Sequence, residues 1–146
     1  MPGVQRGAAA IIFDNERRVL FVRWRRAPGF YGLPGGRIEP REEPHDAVVR
    51  EVREETGLAV RVRRLSGVYA FDSTDDQQLC LVMYAFLCET RSGEATVAAP
   101  AEISEVGWFD PRRLPTPVEN VAPYAVADVV SGNYGTVRLG LRWHPV

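Results

Sequence analysis

The sequence predicts an α+β fold: a mixed, partly antiparallel sheet with helices packed against its faces. Short apolar, β-branched runs stand on both sides of a helical segment, at Gly7 to Phe13, Val19 to Trp24, Leu79 to Cys88 and Thr136 to Trp143. Strands flanking helices in this way bury their apolar faces against them. The chain has 146 residues, 45% hydrophobic and 25% charged, which suits one domain (residues 1–146) with one core.

Gly7 to Phe13 reads as a buried strand, and Asp14-Asn15-Glu16 as a turn. Val19 to Trp24 reads as a second strand that runs into Arg25 and Arg26. Ala27 to Gly36 holds two prolines and four glycines, so a loop is expected. Pro44 to Thr56 reads as a helix, with Pro44 in its first turn and Gly57 as C-terminal cap. Leu58 to Asp72 looks like one or two exposed strands, Thr74 to Gln78 like a polar turn, and Leu79 to Cys88 like a buried strand. Glu89 to Gly93 is expected to turn the chain back. Ala95 to Ala101 is ambiguous, and Glu105 to Phe109 reads as a short strand. Asp110 to Pro117 is read as a loop, and Val118 to Val130 as a second helix, broken early or started late by Pro123. Asn133-Tyr134-Gly135 then turns into a final strand, Thr136 to Trp143.

A formal net charge of -1 gives no global reason to expect a nucleic acid or an anionic membrane as partner. All 18 basic residues are arginine. The first apolar run is too short to span a membrane and lacks the flanks of a signal peptide. Cys80 and Cys88 lie eight residues apart on one expected strand, roughly 26 Å and beyond disulfide reach. Two unpaired thiols fit a reducing cytoplasm.

On a helical wheel of Pro44 to Thr56, Val48, Val49, Val52 and Thr56 form the apolar stripe. Glu51, Glu54 and Glu55 share an adjoining arc with Ala47 because they are related by i+3 and i+4. Like charges crowded beside apolar surface lose solvent and repel each other. A divalent cation would remove both penalties, and Mg²⁺ needs only a few carboxylates beside substrate phosphates.

From Gly36 the chain runs five residues to Glu42, seven to Arg50-Glu51-Val52, one to Glu54-Glu55 and one to Gly57-Leu58. This spacing matches every fixed position of the Nudix box, a coincidence on the order of 10⁻¹⁰ at a given start. Leu33-Pro34-Gly35-Gly36 resembles the usual lead-in, although Tyr31 stands where many members carry tryptophan. Glu105 to Asp110, followed by Leu114-Pro115, resembles the family's later loop and strand.

The resemblance implies a Nudix-type α/β/α sandwich that hydrolyses a nucleoside diphosphate linked to another group, with Mg²⁺ or Mn²⁺. Carried over, Glu51 and Glu55 are the main metal ligands, with Glu54 sharing a metal or activating water. The carbonyl of Gly36 is a further ligand, and Glu42 a candidate to bind through water. Arg50 is expected to hold a glutamate in place, with Glu54 within i+4 reach. Glu102 and Glu105 are the later candidates for the base. Arg23, Arg25 and Arg26 are candidates to grip phosphate, with Arg23 and Arg25 on one strand face. Trp24, Phe30, Tyr31 and Tyr69 are candidates to stack on a base, though aromatics there are commonly core. The expected partner is a small nucleotide: ADP-ribose, a nucleotide sugar or a nucleoside triphosphate. A homodimer is compatible with the sequence. The competing readings are a catalytically silent nucleotide-sensing module, which commonly loses box glutamates that are all present here, and an RNA-end pyrophosphohydrolase, for which the scattered arginines draw no path.

Overall fold

The computed structural model describes residues 3–144. Five strands form a mixed sheet and three a smaller antiparallel one. The chain contributes β1 (Gln5–Ile12), β2 (Val19–Trp24), β3 (Tyr31–Gly32), β4 (Gly35–Arg37), α1 (Pro44–Thr56), β5 (Ala59–Asp72), β6 (Leu79–Ser92), β7 (Ile103–Phe109), α2 (Ala122–Val130) and β8 (Thr136–Arg142). The larger sheet runs β4-β1-β6-β5-β8, with β1 parallel to β6 and β5 parallel to β8. The smaller runs β3-β2-β7.

Strand β1 shows why its sequence is apolar throughout. Ala8, Ala10 and Ile12 face α1 with Val48, Val52 and Phe86, whereas Ala9 and Ile11 face α2 with Tyr69, Phe71 and Val126. Successive side chains alternate, so a strand covered on both faces must be hydrophobic at every position. The core therefore lies in two layers, one beneath each helix.

Several expected boundaries change. The expected Ala27–Gly36 loop contains the short strand β3 and the start of β4, whose glycines allow close pairing. A Cβ on Gly35 would sit 2.1 Å from the carbonyl oxygen of Ala8. The expected turn at Glu89 to Gly93 is mostly strand, because β6 continues to Ser92 against β5. The expected exposed stretch Leu58 to Asp72 is one long strand whose second half is buried, with Tyr69 and Phe71 fully so. Ala95 to Ala101 forms no strand; it is tied to the end of α1 by Thr96 N–H to Thr56 O (2.9 Å) and Ala98 N–H to Glu55 O (3.1 Å). Pro123 marks the late start of α2 and does not break it. Among the described residues no helix is long and apolar enough to cross a membrane.

Candidate active site

Helix α1 starts at Pro44 and stops where Gly57 adopts a left-handed conformation (φ 76°), its N–H bonding to Arg53 O. The buried stripe of Ala47, Val48, Val52 and Thr56 fixes its rotation. That rotation grades the three glutamates by burial: Glu55 is 5% exposed, Glu51 is half-buried and Glu54 lies in solvent.

Glu55 accepts one hydrogen bond, from the Gly35 N–H at 2.8 Å. Burial pushes its carboxyl up to about 8, and the charges of Glu51, Glu102 and Glu54 push the same way. Burial likewise raises the Glu51 carboxyl, against the pull of Arg50. A Cβ on Gly36 would lie 2.6 Å from the Glu51 carboxylate, so only glycine lets this side chain lie against the backbone of β4.

Arg50 holds the remaining acids together. Its Nε and Nη2 grip both oxygens of Glu42 (2.8 and 2.9 Å), Nη1 reaches Glu51 (3.0 Å), and Nη2 also meets the carbonyl of Arg37 (3.1 Å). The expected i+4 partner, Glu54, is more distant at 3.4 to 3.5 Å. The guanidinium holds the Glu42 carboxyl down at about 2, so this acid is charged and committed to Arg50.

Among the described residues no group of acidic, histidine or cysteine side chains is already arranged as a metal cage. The donor set nevertheless fits a hard divalent cation. It offers several carboxylate oxygens, and Mg²⁺ keeps several waters instead of demanding a protein cage. A buried carboxylate facing three like charges is the environment such an ion relieves.

The other sequence candidates separate. Glu102 acts electrostatically on Glu51 and Glu55. Its loop is held by Arg25, whose Nε donates to Pro100 O and whose N–H donates to Glu102 O, both at 2.7 Å. Glu105 instead accepts the Tyr31 hydroxyl (2.7 Å), and Arg23 lies over the Tyr31 ring at 4.9 Å while its Nε bonds to Gly29 O. Arg25 lies past the end of β2, so it shares no strand face with Arg23. Tyr69 is core, bonded to Asp128 at 2.7 Å, and offers no stacking surface. Phe30 is half-buried. Cys88 is buried, its thiol pushed up to about 12, and Cys80 donates to Phe71 O; both are free.

A cavity of about 190 Å³ opens beyond Gly36. Trp24, Leu33, Leu81 and Met83 give it apolar walls, with Arg26, Arg37 and Glu119 also on its border. Three residues here were not evident from the sequence: Gly35 as donor to Glu55, Arg37, and Glu119. An acid just ahead of a helix with an early proline is a capping signal, so Glu119 was findable.

An acidic helix set against a double-glycine strand, on an α+β scaffold with an adjoining cavity, is a site whose oxygen donors suit a divalent cation. The match to the NUDIX domain family model covers residues 3–129, and the chain belongs to the Nudix family. It is thus a hydrolase acting on pyrophosphate bonds. It is 33% identical over 106 residues to an ADP-ribose pyrophosphatase of Methanocaldococcus jannaschii, covering 71% of this chain and 61% of that one. It is 31% identical over 124 residues to a MutT-like protein of Streptomyces ambofaciens, covering 85% and 75%. A MutT NUDIX hydrolase structure from Burkholderia pseudomallei superposes with a TM-score of 0.77 at 31% identity, covering 87% of this chain and 98% of that one.

Proposed function

We propose that the protein hydrolyses the pyrophosphate bond of a nucleoside diphosphate derivative, using Mg²⁺ or Mn²⁺. ADP-ribose, a nucleotide sugar and a nucleoside triphosphate are the substrate candidates. The observation that carries this reading is Glu55: a buried carboxylate with one amide donor and three like-charged neighbours.

Glu51, Glu55 and the Gly36 carbonyl are assigned to holding the cation, which when bound neutralises the pyrophosphate and stabilises charge on its oxygens. Arg50, anchored by Glu42, keeps Glu51 in place. Glu54 is exposed and only loosely paired, so it is free to orient the attacking water for in-line displacement at phosphorus. Glu102, fixed by Arg25, is the second carboxylate placed for this work. The cavity beyond Gly36 takes the organic end of the substrate, Trp24 offering a ring surface. The setting proposed is the cytoplasm.

Phosphate or nucleotide release is to be measured across ADP-ribose, nucleotide sugars and nucleoside triphosphates, with Mg²⁺ or Mn²⁺, beside a Glu54→Gln control. Cleavage of at least one compound, lost in the control, is expected. If no diphosphate compound is cleaved and the control behaves identically, the enzymatic reading fails.

A further inference from the structure

The cavity beyond Gly36 carries positive charge that the catalytic reading does not use. Along β4, Gly36 faces Glu51, since its missing Cβ points at that carboxylate. Arg37 is next on the extended strand and so faces the opposite side. It pairs with Gly7, whose own missing Cβ points at Met83 in the cavity wall. Arg37 therefore stands over the cavity. Arg26 borders the same cavity from the β2–β3 loop, its guanidinium 5.7 Å from the Trp24 ring centre. Arg6 also borders it, but alternation puts its side chain with Ala8 and Ala10 on the α1 side.

Arg50, Arg63 and Arg138 each have a carboxylate partner. Among the described residues Arg26 and Arg37 have none. The acid nearest in the cavity wall, Glu119, spends its two oxygens on the Val121 and Ala122 amides at 2.7 and 2.8 Å. The scissile pyrophosphate does not supply the missing anion either, because its charge is met on the α1 side of β4 by the cation site. Guanidinium forks match phosphate geometry, and an arginine stacked on an aromatic loses less freedom on binding.

We propose that Arg26 and Arg37 form a second anion subsite, holding a phosphate carried by the organic end of the substrate and distinct from the scissile pyrophosphate. The substrate class is a nucleoside diphosphate derivative with a further phosphomonoester, for instance on a ribose. The nucleotide part of this statement, and the separation from the scissile pyrophosphate, rest on the proposed function; the anion subsite itself does not.

Calorimetry without added metal tests it, since binding is then read apart from hydrolysis. The probes are adenosine 5′-monophosphate, adenosine 2′,5′- and 3′,5′-bisphosphate, and inorganic phosphate. At least one bisphosphate is expected to bind about tenfold or more tightly than the monophosphate, the scale of one charge-assisted contact. Arg37→Ala and Arg26→Ala should each abolish that preference, and Arg37→Lys should keep part of it. Both side chains are exposed, so these variants should retain the fold. Equal affinities, a preference that survives both alanine variants, or inorganic phosphate binding as tightly as the bisphosphates would overturn the proposal. A bisphosphate preference in a protein that cleaves nothing would sink the proposed reaction and leave the subsite standing.

Discussion

Glu55, in the last turn of α1, and Glu119, just ahead of α2, are both almost fully buried, at 5% and 8% exposure. Burial pushes both carboxyls up, to about 8 and about 7. Glu119 accepts two amides from the start of α2 and caps a helix whose own N-cap residue, Val121, makes no side-chain cap bond. The positive end of that helix favours its charge. Glu55 has one amide and three repelling carboxylates. The two regions thus meet a similar loss of solvent; the two amides offset part of it at Glu119, whereas like charge adds to it at Glu55. Burial of an acid does not by itself mark a site; burial with unrelieved like charge does.

Exchanging the two acids for glutamine is the sharpest way to break this comparison. Glu55→Gln should lower kcat by roughly 10²- to 10⁴-fold, the range for losing a catalytic acid–base or ligand function. Glu119→Gln should act first on stability, costing about 1–3 kcal/mol because one carbonyl oxygen must serve amides that had two. Steady-state kinetics beside urea unfolding separates these outcomes, and similar kcat losses in both would erase the distinction.

Magnesium should read the same difference through stability. At a hundred times its dissociation constant it should stabilise the wild type and Glu119→Gln by about 2.7 kcal/mol, and Glu55→Gln hardly at all. Thermal shift measures this directly.

The pH dependence gives a smaller effect. Both carboxyls titrate above their ordinary value of 4.5, so the folded state holds protons that the unfolded chain has released. Their contribution is full below about pH 4.5 and is lost as pH rises through about 7 and 8. In metal-free urea titrations each glutamine variant should remove its part of that decline, and Mg²⁺ should suppress the Glu55 part alone. The smallest change is expected at an exposed cluster: Arg63→Ala, which leaves Glu89 paired with Arg61, should cost no more than about 1 kcal/mol. A larger loss there would mean that solvent-exposed charge matters more in this protein than the Glu55–Glu119 contrast allows.

Much of this was legible in the sequence. The period of 3.6 in Pro44 to Thr56 placed the glutamates beside the apolar stripe, and the spacing from Gly36 to Leu58 named the family. Periodicity reports which face of an element is buried, so α1 and β2 were read with their full bounds. It cannot report pairing across the chain. That is why β4 looked like loop, why β6 looked short, and why Arg25 looked like a strand neighbour of Arg23 when it serves the Glu102 loop. Arg50 does reach Glu54, as i+4 geometry suggests, but only at 3.4 Å, while the chain entering the helix brings Glu42 to 2.8 Å, a contact that periodicity does not report. Glu119 reads as a cap only if Pro123 is taken as the start of α2, which places the helix at Ala122 and not at Val118.

Under the proposed function the α1 carboxylates hold a cation, and its binding displaces the proton of the buried Glu55 into the buffer. Calorimetric titration of Mn²⁺ near pH 7, in buffers of different ionisation enthalpy, tests it most directly, because ligands must deprotonate to bind. The wild type should bind Mn²⁺ with release of protons, and Glu55→Gln should bind weakly and release none. Equal binding by both, or binding without proton release, would contradict the assignment of Glu55.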